Sequence, residues 1–154
     1  MSGAQASYRR GWGVVLAGLG VNLLLGTLYA WGVMGKALVM QWGWSKTEAA
    51  LPFAVSTAVF AVMMVFAGRA QDKLGPRRVA TLGGLLFGLG VAASSLFTAP
   101  LPILLCFGAL GGAGIGLAYS ATTPAAVKWF PAARKGLITG VVVSGVGAAA
   151  IFMS

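Results

Sequence analysis

The chain has 154 residues, 58% of them hydrophobic and only 8% charged, with a formal net charge of +9. Soluble domains run at about 45–50% apolar and about 25% charged, so a water-soluble globule is excluded and the chain belongs in a bilayer. With no His, one Cys (Cys106) and two carboxylates (Glu48 and Asp72), it cannot assemble a His triad, a His- or Cys-rich metal centre or a disulfide framework.

A helix needs about 20 apolar residues, at 1.5 Å each, to cross the roughly 30 Å hydrocarbon core. Five stretches qualify. A cytoplasmic tail over residues 1–11 precedes the first span at 12–39; the others are 49–67, 79–97, 101–127 and 136–154. The expected fold is all-α and polytopic, an incomplete transmembrane bundle over 12–154. The first run is far longer than the 7–15 residues of a signal-peptide core, so the N-terminus is expected to be retained. The last span reaches Ser154 without a polar flank, as in a chain that continues.

The cations lie between the runs, where membrane proteins carry their topogenic charges, and do not mark a nucleic-acid binder. Arg9 and Arg10 precede span one; Arg69, Lys73, Arg77 and Arg78 follow span two; Lys128, Arg134 and Lys135 follow span four. These nine fall on one side against Lys36 and Lys46 on the other, which puts the N-terminus in the cytoplasm. Glu48 and Asp72 flank opposite ends of one apolar run, so they are expected on opposite membrane faces. No ionisable residue falls in mid-span.

In span one, Gly18, Asn22, Gly26 and Ala30 recur every four residues, a small and polar stripe. At about 100° per residue, Tyr29 lies about 20° from Asn22 and faces a polar cavity, while Trp31 lies opposite, in packing or against lipid. Asn22 fits either a substrate contact or an interhelical hydrogen bond. The segment Gly68-Arg69-Ala70-Gln71-Asp72-Lys73-Leu74-Gly75-Pro76-Arg77-Arg78 is a tight cytoplasmic turn. Gly68 permits close helix approach there, Gly75-Pro76 reverses the chain, and Asp72 is surrounded by four cations. Pro100 and Pro102 mark a second tight turn.

In span four, Gly108, Gly112 and Gly116 are spaced by four, with Tyr119 and Thr123 within about 60° of that face. The glycines lack the G-x-G-x-x-G spacing and lie inside an apolar helix, which excludes a dinucleotide loop. In span five, Gly136, Gly140, Ser144 and Ala148 form a close-packing ridge, with Gly145 and Gly147 adding flexibility. Trp12, Trp42, Trp44 and Trp129, near span ends, form an interfacial belt. Cys106 is a small apolar filler. Ser56, Thr57, Gln71 and Thr122 carry no functional mark of their own.

The turn after span two resembles the signature loop of the major facilitator superfamily, Gly-x-x-x-Asp-(Arg/Lys)-x-Gly-x-(Arg/Lys)-(Arg/Lys), and matches it at Gly68, Asp72, Lys73, Gly75, Arg77 and Arg78. The resemblance implies about five helices of an N-terminal six-helix bundle. It also implies a conformational gate, in which Asp72 pairs with a helix N-terminus or a nearby Arg and Gly68 allows a close crossing against a C-terminal half absent from this chain. Gly26-Thr27-Leu28-Tyr29-Ala30-Trp31, Gly43-Trp44-Ser45, and Lys128-Trp129-Phe130-Pro131 followed by Arg134-Lys135-Gly136 are similar to the oxalate/formate antiporter family and the neighbouring monocarboxylate carriers.

That second resemblance implies a secondary active transporter, an antiporter of small carboxylates working by alternating access. Asn22, Tyr29 and Tyr119 would contact the organic anion, whose pairing cations would lie in the C-terminal half. Phenol hydroxyls can donate hydrogen bonds to a carboxylate, and ring edges are electropositive. Val146 stands where resembling sequences often carry an aromatic. The expected partners are the bilayer, the other half and the anion, in a plasma membrane of the bacterial inner-membrane type, with no cofactor, metal, nucleic acid or enzyme activity. The alternative is a membrane scaffold working through its glycine ridges.

Overall fold

Without water in the hydrocarbon region, a spanning segment must close its backbone hydrogen bonds on itself. The chain does so as helices in the computed structural model, which describes residues 2–153. Helix α1 (Ser2–Leu25) passes through a 3₁₀ stretch, Gly26–Ala30, into α2 (Trp31–Trp42). The hairpin partner is α3 (Lys46–Leu74), followed by α4 (Pro76–Ser94). A short α5 (Pro100–Ile103) leads through a π-helical stretch, Leu104–Gly111, into α6 (Gly112–Val127). A 3₁₀ turn, Ala132–Arg134, then opens α7 (Lys135–Met153). The described residues contain no strand.

Each of the five expected spans falls mostly on helix among the described residues. Three rods among the described residues, Arg9–Trp42, Lys46–Leu74 and Pro100–Val127, are long and apolar enough to cross a membrane by length and composition. α4 and α7, 19 residues each, would reach about 28 Å and pack against α6 and α1 respectively. Leu16, Leu24, Val65, Leu85 and Leu137 stay exposed on the outside, the apolar surface that lipid rather than water would cover.

Several boundaries move. Residues 2–11, expected as a tail, belong to α1, since no proline separates them from the apolar run; Met1 and Ser154 lie outside the described residues. The second span does not stop at 67. Arg69, Ala70, Gln71, Lys73 and Leu74 are sound helix formers, so the first part of the expected turn forms the last turns of α3. The reversal falls on Gly75 alone, at φ 83° and ψ 152°, a region open essentially to glycine. Pro76 then occupies the first turn of α4, where its missing N–H breaks no helical bond.

The third span ends at Ser94, not 97, where the Ser94 and Ser95 hydroxyls donate to Val91 O and Ala92 O at 2.7 Å each. Pro100 and Pro102 start a helix rather than form a turn, because Ala99 is extended and prolines suit a first turn.

The bundle is built around α6 and its π-helical lead-in. A methyl group on Gly112 would sit 2.5 Å from the Ser56 carbonyl oxygen of α3, and one on Gly116 would sit 2.9 Å from Phe60 O. On another face, a methyl on Gly114 would lie 2.6 Å from Gly83 O of α4. α1 and α7 meet as closely, with Gly145 facing Leu19 O at 2.6 Å by the same measure. The expected ridge of span five is therefore misplaced. Gly136 and Gly140 face open space, whereas Ile138, Val142, Gly145 and Ala149 are the buried side of α7.

At one end Trp12 meets Phe130 edge-on at 5.6 Å, and Arg10, Arg77 and Lys128 border one cleft. At the other end the Trp44 indole donates to Thr98 O at 3.1 Å. Trp44 is buried, so it fastens two loops and does not join the exposed belt of Trp12, Trp42 and Trp129. Gly112→Val should cost about 1–3 kcal/mol or more by overpacking, read as a lower melting temperature of the purified protein in detergent. Gly140→Ala, which meets open space, should not lower that temperature.

Candidate functional site

The 3₁₀ stretch decides which side chains reach the interior. A 3₁₀ helix turns about 120° per residue against about 100° for an α-helix. Its five residues rotate the downstream helix by about 100° relative to the α-helical expectation. Asn22 and Tyr29 therefore do not share a stripe: Asn22 is 0% exposed and Tyr29 is 54% exposed. Trp31, only 5% exposed, turns inward; its indole donates to Ala49 O at 2.7 Å and its ring stacks on Phe107 at 4.4 Å.

Asn22 sits where α1, α6 and α7 meet. Its Nδ2 donates to Val142 O at 2.9 Å and contacts Thr122 Oγ1 at 3.4 Å, while its Oδ1 is buried without a partner among the described residues. Of its two sequence readings, the interhelical hydrogen bond is the one that has partners in the structure.

Tyr29 and Tyr119 come together on a cavity of about 740 Å³ bordered by span one, α3, α6 and α7. Thr57 and Ser144 add two hydroxyls, and Phe53 and Phe60 form much of the α3 wall. Phe60 meets Tyr119 edge-on at 5.7 Å with the rings inclined at 74°, which fixes the plane of the phenol. The four hydroxyls differ in what they can offer. Thr57 donates to Phe53 O at 2.9 Å and Ser144 to Val141 O at 2.8 Å, so both protons are held by their own helices. The Tyr29 and Tyr119 hydroxyls make no hydrogen bond among the described residues and remain free to donate. Among the described residues, no Lys, Arg, Asp or Glu lines this cavity.

Composition and spacing did not single out Thr57, and they assigned Ser144 to packing. The signal was the line Phe53, Thr57 and Phe60, whose three- and four-residue steps keep one helix face. Val146 also borders the cavity.

The residues expected to form a gate lie at the far end of α3. Gly68 is inside the helix with open space beside it, so it makes no close crossing among the described residues. Asp72 is exposed in the last turn of α3 and makes no ion pair among the described residues. Lys73, Arg77 and Arg78 lie around the Gly75 reversal, all three exposed.

The family pattern described as Major Facilitator Superfamily matches residues 10–154. The chain is 29% identical over 139 residues to "Uncharacterized MFS-type transporter YhjX" of Escherichia coli strain K12, covering 90% of this chain and 34% of that protein. It is 36% identical over 92 residues to "Apicoplast pyruvate carrier 1" of Toxoplasma gondii, covering 59% and 17%. It is 28% identical over 134 residues to "Oxalate:formate antiporter" of Oxalobacter formigenes, covering 87% and 32%. The chain spans about a third or less of the length of these curated relatives.

Asn22→Ala should lower thermal stability by about 0.6–2 kcal/mol, the range for an interhelical hydrogen bond in a bundle, with no change in ligand affinity. Weakened affinity at an unchanged melting temperature would return Asn22 to the cavity.

Proposed function

The chain belongs to the major facilitator superfamily, and from that membership we propose that it forms the N-terminal part of a secondary transporter moving small carboxylates by alternating access. The observation that carries this reading is the pair of uncommitted phenol donors, Tyr29 and Tyr119, on one otherwise apolar cavity. Apolar walls with a few placed polar groups are the usual make-up of a small-molecule site. Here the free groups are donors, which suits a carboxylate, an acceptor when ionised.

The cavity is electrically neutral, so an anion's pairing cation would come from the part of the transporter beyond these residues. Intramembrane ions are generally paired. Two of the relatives are named for pyruvate and for oxalate and formate, which favours small mono- or dicarboxylates and, for the second, exchange. The grouping of Arg10, Arg77 and Lys128 at one end supports a cytoplasmic N-terminus, in a plasma membrane of the bacterial inner-membrane type. Asp72 is exposed beside the single-residue reversal at Gly75, available to pair with the second half as a gate.

A scaffold acting through glycine ridges fits less well. Gly83, Gly108, Gly112, Gly114, Gly116 and Gly145 are already used inside the bundle and are not left for an outside partner.

Counterflow by the full-length carrier in liposomes, with labelled oxalate, formate, lactate and pyruvate, tests the reading. At least one acid should exchange. Tyr119→Phe and Tyr29→Phe should each cut that exchange roughly ten- to a hundredfold, the worth of a hydrogen bond to a charged group. No uptake of any organic acid would refute the carboxylate assignment.

A further inference from the structure

A second cleft, of about 640 Å³, lies between α2 and α3 at the end opposite the nine-cation side. It shares Tyr29 and Phe53 with the central cavity, so the two spaces adjoin along one wall. Lys36 of α2 and Lys46 of α3 both line it, and they are the chain's only cations outside the nine-cation group. The acid nearest in sequence, Glu48, makes no ion pair with either among the described residues. Glu48 Oε2 accepts the Ser45 N–H and hydroxyl at 2.8 Å each, in a capping box that opens α3. Neither lysine makes an ion pair among the described residues.

The cleft is also held in shape. The Trp31 indole, bonded to Ala49 O at 2.7 Å and stacked on Phe107, ties the start of α2 to α3 at its base. Gly32 and Gly35 leave the α2 wall without side chains between that base and Lys36. Two ammonium groups against one carboxylate leave a net positive charge over low-dielectric walls, which concentrates anions at the mouth of a cleft. The long lysine stems can lie along apolar surface while their heads stay in water.

We infer that Lys36 and Lys46 form an outer recruitment site for the carboxylate, which passes from this mouth to the Tyr29 hydroxyl and into the central cavity. This rests on the carboxylate reading above and adds a place and a direction to it. The lysines act on capture from one face, through field strength, and do not hold the anion at the centre.

The test uses the full-length carrier in vesicles of both orientations, with labelled oxalate or pyruvate as probe. Lys36→Gln with Lys46→Gln should raise KM about tenfold for substrate presented at the outer face at low ionic strength. The maximal rate should stay within twofold and the melting temperature should not change. The KM difference should shrink as salt screens the field, and KM from the inner face should not move. Arginine at both positions should restore the wild-type value. Wild-type uptake with an unchanged outer KM in the glutamine variant would overturn this inference alone, as would an equal rise on both faces. Wild-type carrier that takes up neither probe would overturn it together with the carboxylate reading.

Discussion

The Ser56 carbonyl of α3 occupies the place that any side chain on Gly112 would need. Lipid tails are as apolar as leucine, so burial supplies no force between helices inside a bilayer. Close dispersion contact has to supply it instead. α6 and its lead-in meet that demand on two faces, through Gly108, Gly112 and Gly116 toward α3 and through Gly114 toward Gly83 of α4. Gly145 does the same for α7 against α1. With those pairs pressed together, the space left over is where the bulky faces meet. Phe53 and Phe60 of α3, Tyr119 of α6 and Tyr29 of span one hold α1, α3, α6 and α7 apart around the cavity.

How much of this was legible in the sequence depended on whether a residue's role was local or relational. The five apolar runs, the Gly75-Pro76 reversal and the four-residue glycine spacing of span four all follow from local composition, and all appear in the structure. The ridge of span five does not. Steps of four drift about 40° each on an α-helix, so the Gly136, Gly140, Ser144 and Ala148 series winds off any one face. The buried series Ile138, Val142, Gly145 and Ala149 mixes steps of four and three and stays closer to one. Tyr29 does border a cavity, but without the Asn22 neighbour expected for it. Nothing in Gly26–Ala30 announces a 3₁₀ stretch, and that stretch separated Tyr29 from Asn22, which is held in the packing. The cap at Ser45 and Glu48 went unread, although Ser-x-x-Glu ahead of an apolar run is its sequence form.

Charge placement and cavity chemistry fit together. α3 carries Glu48 in its first turn and Asp72 in its last, so both acids stand at helix ends with a long apolar length between them. The first is committed to a cap and the second is exposed. The cavity between the ends offers two free hydroxyl donors and no charge. On the proposed carboxylate reading, such a cavity would orient an anion and leave its charge pairing to the rest of the carrier.

That Tyr29, Thr57, Tyr119 and Ser144 border one water-filled cavity is tested most directly by thiol accessibility in the full-length carrier. On a Cys106→Ala background, Thr57→Cys and Ser144→Cys should react with a membrane-impermeant methanethiosulfonate reagent, and added oxalate or pyruvate should slow the reaction. Leu85→Cys and Leu137→Cys, facing lipid, should stay unmodified. Inert cysteines at 57 and 144 in a folded carrier, or labelling at 85 and 137 that matches them, would contradict the account.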